Sequence, residues 1–166
     1  ILRDDEHGDA TVAQRLFEVV EGMMASIYRR DLRRELRTPF PRLTYRESME
    51  RFGSDKPDLR IPFEIRDVTD AAAESAFEKF REARAAAPGS MTGALAVPGL
   101  GGASRREIEG WEAGAKLMGA AGLAWARVKE GALDGGVAKH FTRETTARML
   151  SAAHAEEGSL LLLASG

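Results

Sequence analysis

The ten residues "RFGSDKPDLR" (51–60) separate two stretches of this sequence that repeat with different periods. Gly53 and Pro57 break regular structure, and Ser54, Asp55 and Asp58 carry short polar side chains that bond nearby backbone in turns. The stretch is too polar for a buried strand and too interrupted for a continuing helix, so it reads as a turn between two kinds of structure.

Upstream the pattern is helical. Val12, Leu16, Val19, Val20, Met23, Met24 and Ile27 fall three and four apart, which predicts a long helix burying one apolar face, with Thr11 and Gln14 spaced as its cap. "TPFPR" (38–42) stops it, because Pro39 and Pro41 lack N–H donors and hold the residues before them extended. A shorter helix is predicted in "LTYRESMERFG" (43–53), capped by Thr44 with Glu47 and closed by Gly53.

Downstream, strands and helices alternate. "IPFEIRDVTD" (61–70) reads as a strand through Ile61, Phe63, Ile65 and Val68, and "AAAESAFEKFREARAAAP" (71–88) as a helix of strong helix formers. "TGALAV" (92–97) and "GLAWARV" (122–128) read as strands on either side of a helix in "SRREIEGWEAGAKLMG" (104–119) capped by Ser104 and Glu107. A glycine-rich loop (131–136) leads to "VAKHF" (137–141), read as a strand end, then to a helix near "RETTARMLSAAHA" (143–155) capped by Thr142, and to "SLLLLAS" (159–165), an apolar run of strand length. The alternation also suits a parallel α/β sheet. The fold class expected here is α+β: a helical N-terminal arm (1–60) followed by a compact domain (61–166) with a small, mostly antiparallel sheet and helices packed on it.

The 166 residues are 43% hydrophobic and 30% charged, with no apolar run of membrane-span length. Absence of cysteine excludes disulfides and thiolate metal sites, and with an acidic, non-apolar start to the sequence the expected setting is a reducing cytoplasm. A net charge of −2 excludes coating nucleic acid by bulk positive charge, so an RNA contact has to come from a local patch. "RRDLRRELR" (29–37) is one, since Arg29, Arg33 and Arg37 would share a face on a helix; the alternative is a solvated helix end favoured by the helix dipole.

The motifs for chemistry are sparse. "VPGLGGAS" (97–104) places Gly99, Gly101 and Gly102 between a strand and a helix, where phosphate-binding turns occur, but the pattern is G-x-G-x-x-S and Ser104 is explained as a cap. His7, His140 and His154 lack metal-ligand spacing, and no nucleophile motif appears, so no catalytic and no metal-binding residue is assigned. Asp55, Lys56, Asp58 and Arg60 bring both charge signs within six residues, either as a surface turn or as the rim of a pocket.

At these residues a resemblance enters. "PFPRLTYRESMERFGSDKPDLR" (39–60), with "GSDKPDLR" its most specific part, is similar to the segment that joins the catalytic domain of bacterial-type aspartyl-tRNA synthetases to an inserted domain. "ALAVPG", "ASRREIEGWEAGAKLMGAAGLAWARV", "GGVAKHF" and "EEGSLLLLAS" resemble, in order, that inserted domain, which the family shares with the B subunit of tRNA-dependent amidotransferases. Two departures stand out: Ala121 replaces a common lysine, and Phe77-Glu-Lys-Phe80 replaces a family strand with a helix-favouring sequence.

The resemblance implies a piece of an aspartate–tRNA ligase: residues 1–60 as an incomplete helical flank of a class II catalytic domain, and residues 61–166 as the inserted domain. It implies tRNA as a partner, a homodimeric parent without membrane or DNA partners, and ATP and Mg²⁺ as cofactors of that parent but not of this chain. Ser54, Asp55, Lys56, Asp58 and Arg60 would be junction or pocket-rim residues. Arg29, Arg33, Arg37 and Lys139 would be tRNA contacts, and Arg3, in "LRDDE", a substrate-binding residue for the ATP α-phosphate. The family's glycine-rich third motif is missing, so the chain alone is expected not to aminoacylate. The alternative is a non-catalytic RNA-binding or docking module.

Overall fold

The computed structural model describes residues 10–86 and 89–166, with no side-chain description for Ala10 and Thr11. The described residues divide into two compact units, one holding residues 10–49 and 54–57, the other residues 50–53 and those from 58 onward.

In the first unit, helix α1 (Ala10–Leu32) is as long as its periodicity predicts, but the face it covers is not the predicted one. Val12, Leu16, Val19, Val20, Met23 and Ile27 are exposed, Val19 to 68%. The better covered positions are Phe17, Glu21, Met24 and Tyr28. The reason is polar: Glu21, 8% exposed, accepts the Phe40 N–H at 3.1 Å and Arg42 Nη2 at 2.9 Å, while the Arg42 guanidinium lies 4.8 Å from the Phe17 ring centroid. The returning chain is thus fixed along the Phe17–Glu21 side, and the more apolar stripe faces solvent.

Helix α2 (Tyr45–Phe52) follows its sequence closely. Thr44 Oγ1 accepts the Glu47 N–H at 3.1 Å, Glu47 Oε2 accepts the Thr44 N–H at 2.8 Å, and Gly53 leaves the helix at φ 65°.

The second unit is built on a five-stranded, wholly antiparallel sheet in the order β1-β2-β5-β3-β4. Strand β1 (Ile65–Asp67) is shorter than the alternation over 61–70 suggests, because Pro62 cannot donate and Asp67 Oδ1 accepts the Thr69 N–H at 2.9 Å, turning the chain into helix α3 (Thr69–Ala73). The single helix expected over 71–88 is two. Ser75 Oγ donates to the Ala72 carbonyl at 2.7 Å and the Ala76 N–H donates to the His140 carbonyl at 2.8 Å, so α3 ends there and α4 (Glu78–Ala86) starts anew. Residues 78–80 are helical, as their local propensity predicts.

Strand β2 (Thr92–Val97), helix α5 (Arg105–Leu117), strand β3 (Ala124–Lys129), helix α6 (Arg143–Ala153) and strand β5 (Leu160–Ser165) lie where the sequence places them. Capping boxes form at Ser104 with Glu107 and at Thr142 with Thr145. The glycine-rich loop at 131–136 is corrected to a hairpin: Glu130 and Gly131, both at positive φ, form a two-residue turn into β4 (Ala132–Asp134). Glu157 holds that turn by accepting the Glu130 and Gly131 N–H groups at 2.8 and 3.1 Å, bonds that keep its carboxyl below the usual range. "VAKHF" is no strand end: Ala138–His140 form a single 3₁₀ turn, with the His140 ring 5.0 Å from that of Phe77.

Strand β5 lies at the centre of the sheet, and its alternate side chains serve two cores. Leu161 and Leu163 join Ala94 and Ala126 beneath Val68, Phe80, Met149 and Ala153 of the helical layer, while Leu160 packs on the opposite face with Ile108 and Ala103.

Candidate functional site

Arg3 lies outside the described residues. The octet "GSDKPDLR" is an ordered turn pinned at both ends. Buried Ser48 donates its hydroxyl to the Ser54 carbonyl at 2.7 Å, and Ser54 Oγ accepts the Lys56 N–H at 3.1 Å. Asp58 takes Arg60 through three groups: the backbone N–H at 3.0 Å, Nε at 2.8 Å and Nη2 at 2.6 Å. This guanidinium clamp lowers the Asp58 carboxyl to about 2. Asp58 and Arg60 are therefore committed to each other. The exposed side chains of Asp55 and Lys56 form no hydrogen bond or ion pair with described residues.

The arginine patch is not one helical face. Helix α1 ends at Leu32, Arg33 takes φ 53°, and the Arg34 N–H returns to the Tyr28 carbonyl at 3.2 Å, so Arg33 and Arg37 lie beyond the helix. Arg29 pairs with Glu35 and Arg30 with Asp31. Lys139 is exposed on the 3₁₀ turn after Val137.

The turn of "VPGLGGAS" uses its N–H groups internally. Gly101 donates to the Gly158 carbonyl at 2.8 Å, and a Cβ at Gly101 would lie 2.6 Å from that oxygen, so glycine serves close backbone approach there. Among the described residues no three histidine, aspartate or glutamate side chains converge to hold a metal ion.

The structure brings together instead a cleft that the sequence did not single out. It lies in the second unit between α4 and the end of α5 and has a volume of about 680 Å³; Phe77 and Phe80 border it from the face of the sheet that carries Leu163, and Trp125, paired with Leu162, from the opposite face. Phe77 and Phe80 meet edge to face at 4.8 Å, which places one ring at the wall and buries the other in the floor. Trp125 is held from behind. The Arg127 guanidinium lies 4.9 Å from its ring and donates to the Ala103 carbonyl at 2.8 Å, and the Val137 N–H bonds the Trp125 carbonyl at 2.9 Å. Gly135 and Gly136 let the chain pass directly over it: a Cβ at Gly136 would sit 1.9 Å from the Trp125 carbonyl oxygen. Lys79, from the first turn of α4, and Lys116, from the last turn of α5, stand exposed on the lining beside the exposed Glu82 and the half-buried Glu112. Ala121, at the position where the resembled family commonly has lysine, also lines the cleft. The only sequence signals were the Gly135-Gly136 pair and the aromatic spacing, both equally at home in a core.

The chain belongs to the GAD domain family, which matches residues 78–166. A stretch of 149 residues, which overlaps that domain and extends upstream of it, is 48% identical to the aspartate–tRNA(Asp/Asn) ligase of Rubrobacter xylanophilus, covering 89% of this chain and 24% of that protein. Similar proteins of the same description occur in Moorella thermoacetica, 42% identical over 147 residues, and in Bacillus subtilis, 38% identical over 148 residues. The chain spans about a quarter of the length of these curated relatives. Among the described residues no helix is long and apolar enough to cross a membrane.

Proposed function

We propose that this chain is the GAD-domain-bearing part of an aspartate–tRNA ligase, an enzyme that activates aspartate with ATP and esterifies it to tRNA in the cytoplasm. The observation that carries the reading is the 48% identity, which extends over 149 residues and so reaches well upstream of residues 78–166. Residues 1–60 are then the helical flank of the catalytic domain and residues 61–166 the inserted, tRNA-proximal domain. The open stripe of Val12, Leu16, Val19 and Met23 supports this division, because a helix of a larger catalytic domain needs an apolar face for its neighbours.

ATP and Mg²⁺ are assigned to the remainder of the parent, a homodimer in this reading. The residues described here do not fit them, since the Gly101 N–H is spent on Gly158 and no three metal-ligating side chains converge. The role of this chain is positional: Asp55 and Lys56 are the charges of the junction without side-chain partners among the described residues, and Arg33, Arg37 and Lys139 are basic groups available to RNA.

The test is a chimera in which the matching residues of the Rubrobacter xylanophilus ligase are replaced by this chain. Retained aspartylation of tRNA is expected, as is its loss when the segment is deleted. A folded chimera without aminoacylation overturns the reading, and so does aspartyl-adenylate formation by this chain alone.

A further inference from the structure

We propose that Arg33, Arg34 and Arg37, in the turn that follows α1, grip the phosphate backbone of RNA, and that Arg33 holds a left-handed backbone conformation in the service of that contact. The choice of RNA as the partner rests on the ligase reading; the charge and the geometry of the turn do not.

Residues 29–37 hold five arginines against two acids, Asp31 and Glu35, in a chain whose net charge is −2. Both acids are already taken. Glu35 accepts Arg29 Nε at 3.1 Å, and Asp31 accepts Arg30 Nε at 2.7 Å and Nη2 at 2.9 Å. Arg33, Arg34 and Arg37 are exposed and have no ion pair among the described residues, so their three charges stand uncompensated. Like charges this close repel one another, so the fold gains nothing from them. A polyanion does. The guanidinium fork matches phosphate geometry, and residues 33–37 span at most about 14 Å, so the three long side chains can serve neighbouring phosphates of one strand. Such contacts position RNA without reading its sequence.

The backbone supplies a second, independent observation. Helix α1 ends at Leu32, Arg33 takes φ 53°, and the Arg34 N–H closes the turn on the Tyr28 carbonyl at 3.2 Å. A residue with a Cβ is strained there, whereas glycine is not. Glycine at 33 would therefore serve the helix end better, and what arginine adds is a charge beside Arg34. Strain kept at one exposed position in this way marks a site where the side chain is used.

The test is the binding of an aspartate-accepting tRNA transcript to this chain, by fluorescence anisotropy over a salt series, with urea denaturation of each variant beside it. Affinity should fall with salt at a log–log slope of about −2 to −3, as three neutralised phosphates give. R33G should raise the urea midpoint and yet weaken tRNA about fivefold, with a slope shallower by about 1. R33K keeps both the strain and the charge, so it should recover most of that affinity without raising the midpoint. R30A removes the same unit of charge from a paired arginine and should weaken tRNA less than R33G does. R33G that binds tRNA like the unaltered chain overturns the proposal, and so does R33G with a lowered midpoint or R30A as damaging as R33G. Polyglutamate bound as tightly as tRNA overturns it too, because the patch then suits an acidic protein. In the chimera, R33A/R34A/R37A with an unchanged KM for tRNA overturns the patch and leaves the ligase reading standing. A dead chimera beside a chain that still binds tRNA through these arginines does the reverse.

Discussion

Helix α1 leaves Val12, Leu16, Val19, Val20, Met23 and Ile27 open to solvent, while strand β5 has Leu160, Leu161 and Leu163 sealed from it. Both segments are strongly apolar, and the difference lies in what the chain itself supplies to cover them. Strand β5 has a hydrogen-bonded neighbour along each edge and side chains packed on both faces, so each of its leucines meets partners from within the same unit. Helix α1 has the returning segment on one side only, and that segment is fixed by a buried carboxylate. An apolar period therefore states that a surface favours cover; it does not state where the cover comes from.

The largest effect expected to sharpen this contrast is in the sheet. Leu161→Ala removes a side chain with 0% exposure and should cost about 2–5 kcal/mol in urea denaturation. A loss under about 1 kcal/mol would mean that β5 is not the centre of the core. Next, Glu21→Ala leaves the Phe40 N–H and Arg42 without their acceptor. It should cost about 1–3 kcal/mol locally, measured as faster amide exchange at Phe40, and unchanged exchange would break the claim that polar bonds orient α1.

The capping boxes should ignore the contrast, because a cap is local. Thr44→Ala and Ser104→Ala are each expected to lower stability by about 1 kcal/mol, and a fivefold disparity between them would show that tertiary context governs the caps as well. Val19→Ser, on the open stripe, should change stability by no more than about 0.5 kcal/mol by the same denaturation; a larger loss would show that the stripe is covered in solution.

The smallest effect concerns acid. The Asp58 carboxyl is held at about 2, below its ordinary value of 3.8, chiefly by the side-chain hydrogen bonds from Arg60. A carboxylate lowered in the folded state binds fewer protons folded than unfolded, so its contribution is complete above pH 4 and is lost as the pH falls through about 2. NMR titration should give that midpoint, and Arg60→Ala should return it to the ordinary range. A midpoint near 3.8 in the unaltered chain would mean that the clamp does not persist in water.

Much of this was legible from residues. Short-range rules placed α2, α5 and α6 with their caps, because a hydroxyl three residues from its partner reports on backbone groups that it touches directly. The same locality explains the misses. Nothing local announces that the Ala76 N–H will go to the His140 carbonyl and divide a helix, or that Glu157 will draw Glu130 and Gly131 into a hairpin turn. The cleft was illegible for a related reason: the start of α4, the end of α5 and strand β3 each supply part of its lining, and no sequence spacing links them.

The sequence by itself determined the α+β class, most of the elements and the likeness to ligase sequence at "GSDKPDLR", since each depends on backbone preferences and side-chain patterns within a few residues. Only the tertiary structure decided which face of α1 is open, where the helix at 71–88 divides and which side chains meet around the cleft. Those outcomes depend on hydrogen bonds and packing between residues far apart in the chain, and such contacts leave no periodic trace in the segments that make them.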